Sequence, residues 1–308
     1  MGSPEDGRDD PRLGDWIGEN DPVTARVVLI GFPSDEGVRR NGGRPGAAEG
    51  PSAIRTALFK LTPDAAALEP FARILRETAD GGDVEVSGDL ERDQERLADA
   101  VASVLRRGAV PIVLGGGHET AYGHALGYVQ AGRPIRLVNL DAHADVRPLK
   151  SGQAHSGSPF RQALEHPSGL VRRYDVAALQ PYAVAASHLA FVRQHGSAHL
   201  AADTDAALLA RLIEGSAGDP PALLTLDLDG ADAGQAPGVS APTAAGLDAS
   251  LYLETAFYAG KAVSVGSMDV CELAPVYDEG GRTAKLAALC VWHFLRGLAA
   301  RPGFLQIA

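Results

Sequence analysis

The stretch IRLVNLDAHADVR, residues 135–147, joins a strand signal to a set of metal-ligand side chains. Its apolar residues predict a buried strand, after which Asp141, His143 and Asp145 follow at every second position. In extended backbone, alternate side chains point to the same face, so we expect these three side chains to converge. Two carboxylates and an imidazole that converge lose solvation and repel unless a cation lies among them. The stretch therefore predicts a strand that ends at a metal site.

Two further segments repeat this arrangement of an apolar run followed by ligand-type side chains. Residues 221–232, PALLTLDLDGAD, carry Asp227 and Asp229, and residues 109–119, AVPIVLGGGHE, place three glycines before His118. Six such ligands are too many for one closed site but suit two ions that share bridging carboxylates. Oxygen and imidazole ligands without thiolate favour Mn²⁺ over structural Zn²⁺, while Fe²⁺, Co²⁺ and Ni²⁺ remain open. For any single Asp, the alternative is a helix cap or a turn.

The composition limits the class of protein. The chain has 308 residues, 45% of them hydrophobic, which can bury the core of one α/β domain or two small ones, and we favour one. A net charge of −11 argues against a nucleic-acid partner, whose phosphates would be repelled. Two cysteines are too few for a disulfide framework and indicate a reducing compartment. Without a signal segment or an apolar stretch long enough to cross a bilayer, we expect a cytoplasmic protein that does not bind membranes.

The order of elements predicts an α/β fold. Residues 1–22 are acidic and rich in Gly and Pro, so we expect a poorly ordered lead-in before a single catalytic domain over residues 23–308. After a strand at 26–31, the glycine-rich residues 32–51 predict a loop, either a rim of the pocket or solvated surface, and Ser52 caps a helix through Leu61. Further strands are predicted within 80–90, 109–114, 135–140, 171–179, 223–228 and 262–270, and further helices within 91–107, 118–130, 182–194, 204–213, 249–258 and 283–298.

This alternation of strands and helices indicates a mostly parallel sheet covered on both faces. All six proposed ligands follow apolar runs, which places them at the carboxyl ends of strands, where open parallel sheets bind their ligands.

Three more polar residues lie near these strand ends. His155 follows in a polar loop and is a candidate for proton transfer, although a loop histidine is more often merely exposed. Glu272 comes directly after a predicted strand, where it could solvate the rim or hold a cationic substrate group. Arg147 is either a counter-ion of the acidic cluster or a fork for a substrate carboxylate.

Taken together, these motifs resemble those of the ureohydrolase superfamily of arginase and agmatinase, over residues 24–298. The motifs are GGGHE, NLDAHADVR, LDLDGAD followed by APGVSAP, and DVCELAP followed by GRTAKLAA. Within the superfamily, the chain is most similar to the formimidoylglutamases. The features that point there are GFPSDEGVRRNGGRPGA near the start, GGGHE, Arg147, Gln180 and GVSAP at 238–242.

The resemblance implies a three-layer α/β/α sandwich with two Mn²⁺ ions per subunit, in a homo-oligomer of three or six chains. It assigns His118 and Asp145 to one ion and His143 and Asp229 to the other, with Asp141 and Asp227 as bridges. By the same resemblance, the catalytic residues are His155 as proton shuttle, Asp145, and Glu272, which grips the amidinium. The expected substrate-binding residues are Arg147, Ser151, Gln180 and Glu272. Asp232 matches a supporting position, but Ala233 stands where the family usually has Pro.

The implied reaction is hydrolysis of N-formimidoyl-L-glutamate to L-glutamate and formamide, by attack of hydroxide on the amidine carbon. Arg147 would favour this small substrate with its two carboxylates over arginine or agmatine. The first alternative is a ureohydrolase that acts on a guanidino acid and releases urea. The others are a metal-binding regulatory protein without turnover and a deacetylase-like hydrolase, which needs only one metal.

Overall fold

Eight strands of the described residues lie side by side in a single sheet. The computed structural model describes residues 10–18 and 20–305. In chain order the strands are β1 (Val27–Gly31), β2 (Thr78–Asp83), β3 (Val110–Leu114), β4 (Ile135–Leu140), β5 (Val171–Leu179), β6 (Gly196–Leu200), β7 (Ala222–Asp227) and β8 (Val265–Cys271). Their spatial order is β2-β1-β3-β8-β7-β4-β5-β6, and all neighbouring pairs are parallel. The predicted parallel sheet is confirmed.

Eleven α-helices are present in the part of the chain that the structure describes. They are α1 (Gly14–Ile17), α2 (Glu36–Asn41), α3 (Gly50–Leu58), α4 (Leu68–Arg76), α5 (Leu90–Arg106), α6 (Thr120–Gln130), α7 (Pro159–Leu164), α8 (Ala186–His195), α9 (Ala206–Glu214), α10 (Ala249–Lys261) and α11 (Arg282–Ala299). One face of the sheet is covered by α1, α3, α4, α9, α10 and α11, and the other by α5, α6, α7 and α8. The three layers are those of the predicted α/β/α sandwich.

The strands supply side chains to the core on both faces of the sheet. Val27 and Leu29 of β1 belong to the hydrophobic cluster on one face, whereas Val28 and Ile30 belong to the cluster on the other. Because alternate residues of a strand point to opposite faces, a strand that is apolar throughout is buried on both sides. This is why β1 and β3 read as unbroken apolar runs in the sequence, and every residue of these strands and of β4 is buried.

The strand order brings distant segments together at one edge of the sheet. The last strand in the chain, β8, lies between β3 and β7, and β4 lies on the other side of β7. Since these strands are parallel, the segments that follow them all leave at the same edge. Residues 115–119, 141–147, 228–232 and 272–275 therefore meet there.

The predicted loop at 32–51 is wrong in part, because it contains α2, a 3₁₀ turn (Ala47–Glu49) and the start of α3. Arg40 and Glu36, four residues apart on α2, form an ion pair with Nε and Oε1 3.1 Å apart. Gly42 ends the helix in the left-handed conformation, with φ of 82°. Ser52 lies inside α3 instead of capping it, and α3 ends at Leu58.

The predicted lead-in is described only in part. Leu13 and Ile17 of this segment are fully buried, and the Leu13 amide donates to the Leu61 carbonyl oxygen at 2.9 Å. Residues 13–17 therefore pack into the core, which corrects the expectation of poor order for this stretch. Residues 1–9 and 19 of the predicted lead-in lie outside the described residues. Among the described helices, none combines the length and the apolar character that a membrane span requires.

Candidate metal centre

Four neighbouring strands deliver the candidate ligands to one edge of the sheet. His118 follows β3, the segment with Asp141, His143 and Asp145 follows β4, and Glu272 follows β8. Asp227 is the last residue of β7, and Asp229 lies in the 3₁₀ turn that continues from it. All six predicted metal ligands are thus brought to the carboxyl ends of β3, β7 and β4.

His118 is the centre of the first group of ligand atoms. Its Nδ1 lies 3.0 Å from Asp145 Oδ2, 3.2 Å from Asp141 Oδ2 and 3.0 Å from Asp227 Oδ2. Its other ring nitrogen, Nε2, lies 2.9 Å from the Thr225 hydroxyl, which fixes the ring orientation. One imidazole nitrogen and three carboxylate oxygens within 4.8 Å of one another form a set that could hold a metal ion.

The second group shares Asp141 with the first. His143 Nδ1 lies 3.1 Å from Asp229 Oδ2 and 3.5 Å from Asp141 Oδ1. The two oxygens of Asp141 therefore face two different imidazoles, as expected of a bridging carboxylate. Asp227 contacts only the His118 group within the described residues, so its bridging role stays a prediction.

The loop after β4 is not extended, which corrects the prediction that extended backbone brings Asp141, His143 and Asp145 together. Asp145 has a φ of 45°, in the left-handed region, and the strand ends at Leu140. The turn is held by the Asp141 carboxylate, whose Oδ1 accepts a hydrogen bond from the His143 amide at 2.6 Å. Asp227 Oδ1 accepts from the Asp229 amide at 2.8 Å in the same way. The side chains converge because of these Asp-led turns.

The glycines before His118 allow the β3 loop to pass close to neighbouring backbone. A Cβ atom on Gly116 would overlap the backbone carbonyl of Ser34. The same glycine accepts a hydrogen bond at its carbonyl oxygen from the Glu272 amide, at 2.8 Å. A side chain at this position would therefore push apart the loops that carry His118 and Glu272.

Burial and charge shift the pKa values of the side chains in this cluster. Burial, followed by repulsion from neighbouring carboxylates, raises the pKa of Asp145 and Asp227, and burial also raises that of Asp229. Burial acts in the same direction on Asp141, but hydrogen bonds with His118 and His143 outweigh it and lower the pKa of Asp141. Attraction to Asp229 is the main cause that raises the pKa of His143.

The donor set fits two divalent cations. Asp229 Oδ1 is buried and has no hydrogen-bond partner among the described residues, so it faces the cluster unsatisfied. Four carboxylates carry the charge that two divalent ions would neutralise, and imidazole with carboxylate suits Mn²⁺ and similar metals.

Glu272 is held beside the first group. Its side chain is 4% exposed, and its Oε1 accepts a hydrogen bond from the His118 amide at 2.7 Å. Burial, followed by repulsion from Glu119 and Asp229, raises the pKa of Glu272 well above its usual range. The residue adopts a φ of 70°, which is rare outside glycine and marks a constrained position.

His155 lies in the loop before α7 as a neutral imidazole. Its Nδ1 accepts a hydrogen bond from the Gly157 amide at 3.2 Å, so the proton is on Nε2, which lies 3.1 Å from the Pro148 carbonyl oxygen. Burial, together with the positive charges of Arg147 and Lys150, lowers the pKa of His155. The resting ring is therefore a proton acceptor, and it can donate a proton only after it has been protonated.

Besides Glu272, the three other predicted substrate-binding residues lie in different settings. Arg147 is exposed, and its guanidinium donates from Nη1 to Asn41 Oδ1 at 2.9 Å. Ser151 is exposed at the tip of the same loop, with a φ of 53°. Gln180 is buried, and its Nε2 donates to the Ala245 carbonyl oxygen at 2.8 Å. Their contact with a substrate stays a prediction.

The sequence did not reveal a buried, hydrogen-bonded pair of residues near the centre. His124 Nδ1 lies 2.8 Å from Asp269 Oδ2, and both residues are fully buried. Asp269 and Cys271 also lie close enough to His118 to form a third possible group of ligand atoms. Asp269 already has His124 as its hydrogen-bond partner, so we assign it to the support of the β3 and β8 ends. The alternation of Asp269 and Cys271 on β8 was the available signal.

The chain is similar to known proteins over most of its length. A model described as the arginase family matches residues 25–296. Formimidoylglutamase from Geobacillus thermodenitrificans is 37% identical over 301 residues, which cover 92% of this chain and 89% of that protein. Formimidoylglutamase from Rhodococcus jostii is 41% identical over 280 residues, covering 85% of this chain and 82% of that protein.

A solved structure matches over the same length. The crystal structure of Trypanosoma cruzi formiminoglutamase with Mn²⁺ has a TM-score of 0.86 and 35% sequence identity, and covers 96% of this chain and 100% of that chain. The family match, the sequence identity and the shared architecture lead to one conclusion, that this chain belongs to the arginase family.

Proposed function

We propose that this protein hydrolyses N-formimidoyl-L-glutamate to L-glutamate and formamide with two Mn²⁺ ions per subunit. The substrate is supported by relatives that are 37% and 41% identical and bear the name formimidoylglutamase. The metal is supported by the crystal structure of the Trypanosoma cruzi formiminoglutamase, which contains Mn²⁺. The arginase family match over residues 25–296 supports hydrolysis of an amidine carbon–nitrogen bond.

The observation that carries the proposal is the sharing of Asp141 between two buried ligand groups. The atoms of each group lie within 4.8 Å of one another, which is the reach of a single ion. When bound there, a pair of divalent cations neutralises the carboxylates and lowers the pKa of water, so that hydroxide is available near neutral pH.

Glu272 is positioned to bind the amidinium group of the substrate. Its Oε1 already accepts the His118 amide, which leaves Oε2 to accept a hydrogen bond from the substrate. A buried carboxylate whose pKa is raised by burial gains most from a cationic partner. The substrate cation would therefore orient the amidine carbon towards the two ligand groups.

Arg147 supplies the positive charge for the carboxylates of the substrate. It is exposed at the mouth of the site, and Asn41 accepts one of its N–H groups. The other guanidinium N–H groups remain available for a fork with a carboxylate. Ser151 and Gln180 complete the proposed set of substrate-binding residues.

Two residues would move protons during hydrolysis. Asp145 Oδ2 faces His118 Nδ1, which leaves Asp145 Oδ1 to accept the proton that the attacking water loses. His155, whose Nδ1 is an acceptor in the resting state, would first take up a proton and then, as the imidazolium, give a proton to the nitrogen of the departing glutamate. The carbon–nitrogen bond to glutamate breaks as that nitrogen is protonated, and formamide is the second product.

A product assay tests the substrate. Metal-depleted protein, before and after addition of Mn²⁺, is incubated with formimidoylglutamate, arginine, agmatine and guanidinobutyrate, and both formamide and urea are measured. We expect formamide from formimidoylglutamate only with Mn²⁺. Urea from one of the guanidino compounds without formamide would establish the alternative ureohydrolase, and no product from any of them would favour a protein without turnover.

We also infer a cytoplasmic homo-oligomer of three or six chains, in which residues 23–308 form one catalytic domain. The compartment is supported by the two cysteines, which are both buried and free. The oligomer is supported by the resemblance to the superfamily. Sedimentation of the purified protein and fractionation of the cells that express it would test the two inferences separately.

A further inference from the structure

A cavity of about 650 Å³ lies at the edge of the sheet opposite to the candidate metal centre. The cavity is lined by residues at the amino ends of five adjacent strands. These residues stand at, or directly before, the first residue of each strand, and they are Arg26, Ala109, Pro134, Pro221 and Val265. The strands that begin there, β1, β3, β8, β7 and β4, include the three whose other ends carry the six metal-ligand candidates. A strand of five to seven residues spans roughly 20 Å, so the cavity and the metal centre are separate sites.

The cavity wall carries positive charge without negative charge. Three arginines line it, Arg26, Arg133 and Arg301, and its lining includes no Asp or Glu. Within the described residues, none of the three forms an ion pair with a carboxylate. The chain has 39 acidic residues and only 28 Lys and Arg, so carboxylates are in excess. Three guanidinium groups repel each other when they share a cavity that contains no carboxylate.

Arg301 is a fixed part of this wall. Its Nε, Nη1 and Nη2 donate to the carbonyl oxygens of Gly260, Val265 and Ala259 at 2.7, 3.1 and 3.1 Å. It therefore satisfies carbonyl groups near the end of α10 and the start of β8. Burial lowers the pKa of Arg301 to about 10, so it stays charged at neutral pH and adds to the positive potential.

Arg26 and Arg133 are available to a ligand. The Arg26 guanidinium lies over the Phe304 ring, with Cζ 4.5 Å from the ring centroid, and stays partly exposed. Arg301 Cζ is 5.6 Å from the same centroid, so these two charges are held near one another by the ring. Arg133 is exposed, and its side chain makes no hydrogen bond to the described residues. Apolar side chains between them, from Leu105, Val110 and Phe304, can cover the uncharged part of a ligand.

We propose that this cavity binds a small organic dianion, a phosphate monoester or a dicarboxylate with an apolar portion, through Arg26 and Arg133. The planar guanidinium matches the oxygens of both anionic groups in a two-bond fork. A concave apolar wall with a few charged side chains is the usual construction of a small-molecule site. The inference is independent of the proposed hydrolysis, which takes place at the other end of the strands.

Calorimetric titration of the Mn²⁺-loaded protein tests the site with two aromatic dianions. Phenyl phosphate and phthalate share an apolar ring but differ in their anionic groups, and benzyl alcohol is the uncharged probe. We expect at least one dianion to bind and benzyl alcohol not to bind. Arg133→Gln and Arg26→Gln should each weaken the binding by about tenfold or more, because each removes a charge-assisted hydrogen bond.

Arg92→Gln is the matched control, since Arg92 is exposed on α5, does not line the cavity and changes the net charge by the same amount. It should bind the dianion as the wild type does. Circular dichroism and melting curves show whether each variant is folded. The proposal is overturned if neither dianion binds at millimolar concentration, or if the folded Arg26→Gln/Arg133→Gln double variant binds as the wild type does. Preference for one dianion identifies the anionic group.

Discussion

Asp141 faces both imidazoles of the candidate centre with its two carboxylate oxygens. Oδ2 lies 3.2 Å from His118 Nδ1, and Oδ1 lies 3.5 Å from His143 Nδ1. Asp229 contacts only the second of these rings. Asp141→Asn should therefore reduce the bound Mn²⁺ from two ions to less than one per chain, whereas Asp229→Asn should leave about one, since only one ion loses a ligand. Metal analysis after dialysis measures both.

Asp219→Asn is the control for this pair of variants. Asp219 is exposed in the segment before β7, its Oδ2 accepts the Ser216 amide at 2.8 Å, and it belongs to neither ligand group. It should retain two ions. If Asp141→Asn and Asp229→Asn lose the same amount of metal, the shared role of Asp141 is contradicted.

Glu272→Gln separates substrate binding from metal binding. The amide oxygen of Gln can still accept the His118 N–H, but the negative charge is lost. A hydrogen bond to a charged group contributes about 1.5–3 kcal/mol, so we expect kcat/KM for formimidoylglutamate to fall roughly tenfold to a hundredfold. The Mn²⁺ content should not change. Steady-state kinetics and metal analysis measure the two effects.

We expect Glu272→Gln not to destabilise the metal-free protein. Burial raises the pKa of Glu272, so the ionised carboxylate costs free energy in the folded protein at neutral pH. Gln removes this cost, and the melting temperature of the metal-free variant should not fall. Glu279→Gln, at an exposed position, should leave kcat/KM unchanged. A large loss of Mn²⁺ in Glu272→Gln would instead mean that Glu272 acts through the metal site.

The residue types of the ligands could be predicted from the sequence, but their contacts could not. Asp141, His143 and Asp145 are two residues apart, and so are Asp227 and Asp229, which is a local signal. The left-handed backbone at Asp145 is set by packing of the loop and leaves no trace in spacing. The hydrogen bond between Thr225 and His118 joins residues 107 positions apart, so only the folded chain shows it.

At the scale of elements, the spacing of hydrophobic residues predicted the bounds of most strands and helices to within a few residues. The clearest omission is α4, although Phe71, Ile74 and Leu75 have the spacing of a buried helical stripe and are buried. In contrast, β6 is short and only partly buried, and its sequence GSAHL carries little strand signal. Edge strands gain pairing from a neighbour, here β5, that local sequence does not reveal.

The contact between α10 and α11 depends on small residues. A Cβ atom on Gly260 of α10 would overlap the Phe294 carbonyl oxygen on α11. Gly260→Ala should therefore force the helices apart and lower the free energy of unfolding by about 1–3 kcal/mol, as overpacking does. Denaturant unfolding measures this change. Lys261→Ala, at an exposed position on the same helix, is the control and should change stability by less than about 0.5 kcal/mol.

Gly260→Ala should change stability without changing metal binding, because Gly260 lies at the opposite end of β8 from the candidate metal centre. Gly260 lies near the amino end of β8, where Arg301 binds its carbonyl oxygen at 2.7 Å. The Mn²⁺ content of the folded variant should equal that of the wild type. A variant as stable as the wild type would show that the helices have room to adjust.

At the scale of the whole molecule, the strand order could not be predicted from the sequence alone. Alternating strands and helices indicate a parallel sheet, but many orders satisfy that pattern. The chain places β8 between β3 and β7, which brings Glu272 to the His118 amide. This placement rests on non-local packing, including the two cores that cover the faces of the sheet.

The stability of the whole molecule should depend on the metal, because the ligand groups exist only in the folded chain. His118 and Asp227 are 109 positions apart in the sequence, so the unfolded chain does not bring these ligands together. Ions that bind the folded state alone stabilise it by about 2.7 kcal/mol per site at a hundredfold excess over Kd. Chelation should therefore lower the melting temperature by about 5 °C or more, and calorimetry over a series of Mn²⁺ concentrations measures it.

The shape of this dependence separates metal binding at the centre from binding to the surface of an acidic protein. Wild-type protein should gain melting temperature with Mn²⁺ until both sites are filled, and the gain should level off. The melting temperature of Asp141→Asn should rise little with Mn²⁺, because both ligand groups lose the carboxylate that lies beside His118 and His143 in the wild type. Hydrogen bonds with His118 and His143 lower the pKa of Asp141, so its charge stabilises the folded protein at neutral pH, and the metal-free variant should melt lower than metal-free wild type. An equal Mn²⁺ response in both proteins would place the stabilising ions elsewhere.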